Sequence, residues 1–458
     1  MHEVQFMTAG QIMHRQAQFM IGICSANSNS PFLDFPSPVC YNDPGDVNME
    51  EFVKTQIKYG LKYLPANLVK SYFIPKSSAE TRALRERGFL CGVCHPNEQY
   101  DLLGEGNIKW VRFDVPFPFT PEGEPADEYR SFKERCAGYA ERGFSVMAVT
   151  PFPDAFLRGG IDPRTPEGEE KVREIAGFLV RDLQGFVGGF QISNEMGLPK
   201  FTLPLTLEEA ARFIGIQAEV MYPQRGDILI GYNSGGPEAR LHALMRPYLN
   251  FCDYVGIDIY LGCFAGVPGT MWMFTALLRY LWAFTGKPVI LQEFGYIGGG
   301  APKTKADRRA VLRQYGVEKE EDARPIIEDF VSRLPQAFQH FLRHDGGNDP
   351  ARYYDLLFHS DYRQHFYREM SRSTRIPGYP HTPEGQAKFF DDLIGRLYRL
   401  PFMAGTLVYC WSDAPVCGYC GQADCPVETR WGLVNCGGDP KPSFYAVKRQ
   451  FGRIQNKR

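Results

Sequence analysis

The sequence has 458 residues, of which 44% are hydrophobic and 23% are charged, and this composition excludes a disordered chain. Fifty-one Lys and Arg residues against 53 Asp and Glu residues give a formal net charge of -2, which excludes a general basic field for nucleic acid. No run of about 18 apolar residues is present, so we expect no membrane span. Polar residues also interrupt the apolar ones near the N-terminus, so we expect no signal peptide and a cytoplasmic protein.

The N-terminal part of the chain differs in pattern from the rest. Residues 1–85 precede the first predicted strand, and we expect them to form an extension that packs on the remainder, with a helix from Met49 to Tyr63. No N-terminal β-sandwich domain is readable there. Residues 86–458 are predicted to form one catalytic domain.

Short apolar runs alternate with amphipathic, charged segments along that domain. Each run is rich in Val, Ile or Phe and is followed by turn-forming or polar residues, as is typical of strands buried on both faces of a parallel sheet. The eight runs are 89–93, 109–115, 144–149, 189–193, 228–232, 254–260, 288–292 and 405–410. Eight strand-then-helix units predict an α/β fold, a (β/α)8 TIM barrel. A doubly wound open sheet is the alternative, but no Gly-rich phosphate fingerprint follows the first strand.

Helices are predicted from Glu167 to Leu183, from Leu207 to Tyr222 and from Pro383 to Tyr398, the last with Thr382 as its N-cap. Between the seventh and eighth strands lie roughly a hundred residues, where a barrel needs a few tens. We therefore predict a largely helical insertion at about 300–380. It is expected either to form a wall over the pocket or to pack against the side of the barrel.

The polar residues that end the predicted strands carry the chemistry, because active sites of such barrels lie at the carboxyl ends of the strands. Strand four ends in Ser193-Asn194-Glu195, and strand seven runs into Glu293. A single Glu is more often an ordinary surface residue, but two of them at opposite strand ends fit the carboxylate pair of a retaining glycosidase.

Several motifs make the sequence similar to a known family. Asn194-Glu195 and Glu293-Phe294-Gly295 resemble the signatures of the clan-A retaining glycoside hydrolases, which include cellulases, β-mannanases and β-galactosidases. Arg112, Tyr260 and Trp411 at the ends of strands two, six and eight add to the resemblance, which runs from about Gly88 to Phe451. Met196 departs from it, because the cellulase-like branch commonly has Pro there.

The resemblance implies a role for each matching residue. Glu195 would be the general acid/base and Glu293 the nucleophile, while Asn194 would hydrogen-bond the 2-hydroxyl of the sugar. Arg112 would lie under Glu293 and hold it in its charged form, since a nearby cation favours the carboxylate. An ion pair of Arg112 with Asp114 is the alternative. Tyr260 would donate to Glu293.

Trp411 would form the floor of the first sugar subsite, although plain core packing is the alternative. His95 and Asn233, which end strands one and five, and Asp413 are candidate hydroxyl-binding residues. A polar residue satisfied within the protein is the alternative for each of these three.

Twelve cysteines are too sparse for a disulfide scaffold, but four of them cluster after strand eight. Cys417, Cys420, Cys425 and Cys436 fit a tetrahedral structural zinc site; disulfides or independent thiols remain alternatives. A site closed by four thiolates would pin the loop, so no cofactor is expected for catalysis. We interpret Cys91 and Cys94 as packing residues. His340 and His344 are interpreted as surface residues.

The sequence therefore predicts a retaining glycoside hydrolase that acts on an oligosaccharide or glycoside, with a β-linkage as the expected bond. A catalytically retired carbohydrate-binding barrel is the first alternative. A metal-dependent lyase or hydrolase on the same scaffold is the second, because a fold alone does not decide between chemistries.

Overall fold

The computed structural model describes residues 78–263, 270–347, 349–360, 362–370 and 374–457, together with short stretches between residues 58 and 73. Most of the predicted extension 1–85 and of the predicted helix Met49–Tyr63 lies outside this part of the chain. Within it, Tyr63 lies edge-to-face against Phe284, with ring centroids 5.5 Å apart.

Eight parallel strands form a closed barrel in sequence order, which confirms the predicted (β/α)8 fold. The barrel closes where β1 pairs with β8, with Leu90 opposite Gly405. A Cβ atom at Gly405 would lie 2.3 Å from the Cβ of Leu90, so only glycine permits this close approach. The strands are β1 Leu90–Cys94, β2 Trp110–Asp114, β3 Ser145–Val149, β4 Gly189–Ile192, β5 Leu229–Tyr232, β6 Tyr254–Ile259, β7 Val289–Phe294 and β8 Met403–Val408.

Each predicted apolar run coincides with one strand to within a few residues, because these strands are covered on both faces. Strands β1, β4, β5, β6, β7 and β8 are buried along their whole length. A parallel strand with helices outside and barrel side chains inside has no solvent face, which is why these segments read as continuous apolar runs.

Helices surround the barrel and connect successive strands. The three helices predicted from the sequence are present as Pro166–Asp182, Leu207–Met221 and Pro383–Tyr398. The Thr382 side chain accepts a hydrogen bond from the Gly385 amide, as expected of the predicted N-cap. Within residues 78–457 as described, the other α-helices outside the insertion are Ala79–Glu86, Tyr100–Glu105, Asp127–Glu141, Pro153–Arg158, Pro199–Thr202, Ala239–Leu244, Met271–Thr285, Pro426–Thr429 and Pro442–Gln455. Short 3-10 helices span Tyr222–Gln224 and Arg246–Phe251.

The insertion between β7 and β8 is largely helical, as predicted. It packs against the loop that follows β8, where the ring of Phe341 lies 4.6 Å from that of Tyr419. The insertion therefore lies at the carboxyl end of the barrel. Its α-helices are Lys305–Gln314, Glu320–Ala323, Ile327–Ser332, Gln336–Gly346, Pro350–His359 and Tyr362–Tyr367.

A membrane span would need a long, continuously apolar helix. In the part of the chain that the structure describes, none of the helices has that length and apolarity.

Candidate active site

Six of the predicted site residues come from five strands and meet at one end of the barrel. Arg112 lies in β2 and Glu293 in β7. Asn194 and Glu195 follow β4, Asn233 follows β5 and Tyr260 follows β6. Because all eight strands are parallel, these positions share the carboxyl edge of the sheet.

Glu293 is held by a cation and a hydroxyl. The Arg112 guanidinium donates from Nη1 to Glu293 Oε1 at 2.5 Å, and the Tyr260 hydroxyl donates to Oε2. Arg112 is 1% exposed, so this ion pair is shielded from water. Burial opposes the charge of Arg112, but the facing Glu293 carboxylate raises the pKa of Arg112 well above its ordinary value. Both oxygens of Glu293 are thus fixed in position.

Arg112 also connects Glu293 to the residues that follow β4. Its Nε donates to Gln191 Oε1 at 2.8 Å, and its Nη2 donates to Asn194 Oδ1 at 2.7 Å. Gln191 and Asn233 donate to the same Asn194 oxygen at 2.8 Å and 2.9 Å. Because three donors already occupy the Asn194 side-chain oxygen, its amide nitrogen is the group that can interact with a ligand. This NH2 group can only donate hydrogen bonds.

Glu195 has an unusual backbone conformation that its neighbours stabilise. Its φ is +45° and that of Ser193 is +56°, a left-handed region that costs non-glycine residues of order 1–3 kcal/mol. The Glu195 amide donates to Asn233 Oδ1 at 2.8 Å, and the Ser193 amide donates to Thr150 Oγ1 at 3.0 Å. These bonds hold the turn that directs Glu195, which is 2% exposed, from the end of β4.

Two further acids lie beside this pair, and the sequence analysis missed both. Asp258 of β6 is in register with Glu293 of β7, at an irregularity in the pairing of these strands. It accepts a hydrogen bond from Asn233 Nδ2 at 2.6 Å. Burial, then the charges of Glu293 and Glu195, raise the pKa of Asp258 well above its ordinary value. A neutral Asp258 avoids a third negative charge within the site.

Glu238 is the second of these acids and lies against the segment that carries Glu195. Its carboxylate packs so closely on Gly197 that a Cβ there would collide with it. Burial, followed by the charge of Glu195, raises the pKa of Glu238 well above its ordinary value. A strand-end pattern could not find Glu238, because it lies five residues beyond Asn233 in a loop.

Aromatic rings surround Tyr260, but Trp411 is not among them. The Tyr409 ring lies 5.6 Å from Tyr260, 5.7 Å from Trp431 and 5.5 Å from His95. Trp411 has no exposed surface, and its indole N–H donates to Gln99 Oε1 at 3.0 Å. A fully buried ring cannot stack on a ligand, so Trp411 fits the core-packing alternative, whereas the ring beside Tyr260 is that of Tyr409.

The weaker hydroxyl-binding candidates differ in their surroundings. His95 lies next to Tyr409 with φ +51°, and burial lowers its pKa, which favours the neutral imidazole. Asp413 is engaged within the protein, since it pairs with Lys441 at 2.8 Å and accepts from the Gly432 amide at 2.7 Å. Asp413 thus fits the alternative of a polar residue satisfied within the protein, whereas His95 stays a candidate for hydroxyl binding.

Three of the four cysteines predicted to bind zinc come together, and the fourth does not. Cys417, Cys420 and Cys425 are buried and meet His365 of the insertion. Cys436 is exposed, and its thiol donates to the Asp413 carbonyl. The residue that joins these three cysteines is therefore His365 and not Cys436. A local cysteine pattern could not find His365, because it lies 52 residues before Cys417.

The remaining cysteines and histidines singled out in the sequence are not members of the Cys/His group. Cys91 and Cys94 are buried in β1 without a disulfide bond, as the packing interpretation expects. The Cys94 sulfur lies 3.9 Å from Arg112 Nη1, below the carboxylate network. His340 contacts the neighbouring Phe341 ring, and the side chain of His344 lies outside the part of the chain that the structure describes.

No protein-family model matches the sequence, and no curated protein matches it either. Several solved structures are similar in fold. The Ignisphaera aggregans GH53 catalytic domain is 17% identical, with 82% of this chain and 97% of that chain covered and a TM-score of 0.48. A family 39 glycoside hydrolase from Bacteroides cellulosilyticus is 15% identical over 84% of this chain and 66% of that chain, with a TM-score of 0.46.

A GH2 β-galacturonidase from Eisenbergiella tayi is 13% identical, with 80% of this chain covered and a TM-score of 0.44; the chain spans 51% of that enzyme's length. All three structures are glycoside hydrolases. At such identities the likeness concerns the fold alone, so the geometry of the site carries the functional proposal.

Proposed function

We propose that this chain is a retaining glycoside hydrolase of the clan-A type, with Glu293 as nucleophile and Glu195 as acid/base. The observation that carries the proposal is the bonded network around Glu293. Arg112 and Tyr260 hold both of its carboxylate oxygens, and Arg112 continues to Asn194, the neighbour of Glu195. A nucleophilic carboxylate needs this kind of fixed, charge-stabilising environment.

In the first step, a Glu293 oxygen attacks the anomeric carbon of the sugar. The bond to the leaving group breaks, and Glu195 gives its proton to the departing oxygen. The product is a glycosyl ester on Glu293, in which the carboxylate charge has disappeared. The ionised Glu195 then accepts a proton from water.

In the second step, the water oxygen attacks the anomeric carbon and the ester bond breaks. Glu293 regains its negative charge, and Glu195 holds a proton again. Arg112 and Tyr260 stabilise the carboxylate that departs, because their donors point at its two oxygens. Two displacements at one carbon give net retention of configuration.

The surrounding residues support a sugar as the ligand. The free amide group of Asn194 would donate to the 2-hydroxyl, and the Tyr409 ring would lie under the C–H face of the sugar. Neutral His95 would supply a further hydroxyl contact. An oligosaccharide or simple glycoside with a β-linkage is the proposed substrate.

The two alternatives receive less support. A retired binding barrel has no use for two buried glutamates with the network around them. A metal-dependent enzyme would need ligands at the strand ends. Within the described ranges, the side chains with metal-ligand spacing are His365, Cys417, Cys420 and Cys425, which belong to the insertion and to the loop after β8.

The test is covalent labelling by 2-deoxy-2-fluoro glycosides with activated leaving groups, followed by mass spectrometry of the digested protein. We expect a panel of such sugars to give one adduct, on the peptide that contains Glu293. Glu369→Gln, which changes a buried carboxylate of the insertion, is the matched control and should still be labelled. An adduct on another residue would reject Glu293 as nucleophile.

A second variant tests the same assignment without the fluorosugars. Glu293→Gly should lose hydrolysis of an activated aryl glycoside, and azide should restore product of inverted configuration because the small anion replaces the carboxylate. Full hydrolysis by Glu293→Gly without azide would overturn the proposal.

A further inference from the structure

Four potential metal ligands from two distant parts of the chain meet in the interior. Cys417, Cys420 and Cys425 belong to the loop after β8, and His365 belongs to helix Tyr362–Tyr367 of the insertion. All four are buried, and their ligand atoms lie within 4.8 Å of one another. The three cysteines are free thiols.

The distances within this group fit a tetrahedral ion. His365 Nδ1 lies 3.4 Å from Cys417 Sγ and 3.6 Å from Cys425 Sγ. Bonds of about 2.3 Å to sulfur and about 2.0–2.1 Å to nitrogen, at tetrahedral angles, place such atoms about 3.5–3.6 Å apart. The His365 imidazole and the Cys417 and Cys425 thiols therefore already lie close to the positions that a central zinc ion requires, and Cys420 lies within 4.8 Å of each of them.

The loop has the local geometry of a metal-binding knuckle. The Cys420 amide donates to Cys417 Sγ at 3.5 Å, and the Gly421 amide donates to the Cys417 carbonyl at 2.8 Å. Gly421 has φ +65°, a conformation that glycine adopts without strain. Amide donors to a thiolate sulfur orient it and stabilise its charge.

The surroundings exclude water from the group. The Tyr419 ring covers the His365 ring at 4.6 Å, and the Phe341 ring of the insertion covers Tyr419 at the same distance. Four protein ligands leave no position for substrate or water, so an ion here would have a structural role.

We propose that His365, Cys417, Cys420 and Cys425 bind one structural zinc ion that joins the insertion to the loop after β8. Binding releases the thiol protons and ties helix Tyr362–Tyr367 to a loop that begins directly beyond Tyr409. The ion thereby fixes the insertion at the mouth of the barrel. This site is distinct from the proposed catalytic pair, because its four ligands belong to the insertion and to the loop after β8.

The experiment measures zinc in the full-length protein as purified, by elemental analysis and by X-ray absorption at the zinc edge. We expect about one zinc per chain, with three sulfur neighbours at about 2.3 Å and one nitrogen at about 2.0–2.1 Å. This measurement needs no variant. A chain purified without zinc that takes up none from added zinc would overturn the proposal, as would a disulfide between Cys417 and Cys420.

Variants separate this ligand set from the one that contains Cys436. His365→Ala should weaken zinc retention against a chelator by more than about tenfold, whereas Cys436→Ser should retain zinc as the wild type does. A strong chelator should lower the melting temperature of the wild type and of Cys436→Ser. Zinc loss in Cys436→Ser together with full retention in His365→Ala would reject His365 as the ligand.

Discussion

Removal of the Tyr260 hydroxyl tests how Glu293 is held during the reaction. Tyr260 donates to Glu293 Oε2, and its ring lies edge-to-face against Tyr409 at 5.6 Å and Trp431 at 5.5 Å. Tyr260→Phe keeps these ring contacts and removes the hydroxyl. Burial and then Glu293 raise the pKa of Tyr260 well above its ordinary value, so the hydroxyl is a proton donor throughout the assay range.

The size of the effect follows from the change in charge on Glu293. In the glycosyl ester, the hydrogen bond from Tyr260 to Glu293 joins two neutral groups and is worth about 0.5–1.5 kcal/mol. A hydrogen bond to the charged carboxylate is worth about 1.5–3 kcal/mol. The hydroxyl therefore favours the departing carboxylate by about 1–1.5 kcal/mol. Tyr260→Phe should slow breakdown of the glycosyl ester by about 5- to 13-fold. Formation of the ester neutralises the carboxylate, so Tyr260→Phe should change the rate of ester formation less than the rate of ester breakdown.

The assay follows the trapped 2-fluoroglycosyl protein in buffer by intact mass and measures the rate at which the free protein returns. Tyr129→Phe is the matched control, because the buried Tyr129 hydroxyl also donates to a carboxylate, Asp182 Oδ2 at 2.7 Å. That pair lies on the helices outside the barrel, so the control should reactivate at the wild-type rate. Equal rates for wild type and Tyr260→Phe would refute the reasoning.

Two further predictions concern residues that the structure added to the site. Burial and then the charge of Glu293 raise the pKa of Asp258 well above its ordinary value of 3.8. Protonated Asp258 therefore stabilises the folded protein at low pH, and this stabilisation is lost as the pH rises through the raised pKa. The melting temperature of Asp258→Asn relative to wild type should therefore rise between pH 5 and pH 8, by about 1 °C for each kcal/mol in a chain of this length. A difference that does not change with pH would contradict this. Tyr409→Leu should lower kcat/KM about 2- to 13-fold, since an aromatic contact is worth about 0.5–1.5 kcal/mol beyond the area that it buries. A larger loss for Trp411→Phe than for Tyr409→Leu would restore the assignment made from the sequence.

The contacts of Arg112 show how much of the site can be predicted from the ends of the strands alone. The strand pattern placed Arg112, Tyr260 and Glu293 at one edge of a parallel sheet, and there the structure pairs Arg112 with Glu293. Asp114, the alternative partner, lies two residues further along β2 and is exposed. Sequence spacing identified the edge, but the partner of Arg112 depends on which strands face each other across the barrel.

The sequence by itself determined the eight strands, the helical insertion and the ends of the strands at which the candidate acids lie. These features are readable because burial on both faces imposes continuous apolar runs and because parallel strands end at one edge. The tertiary structure alone decided that the Tyr409 ring, rather than that of Trp411, lies beside Tyr260. It also decided that His365, rather than Cys436, joins Cys417, Cys420 and Cys425. It also placed Asp258 beside Glu293. These choices depend on side chains that are distant in sequence and meet only when the barrel closes.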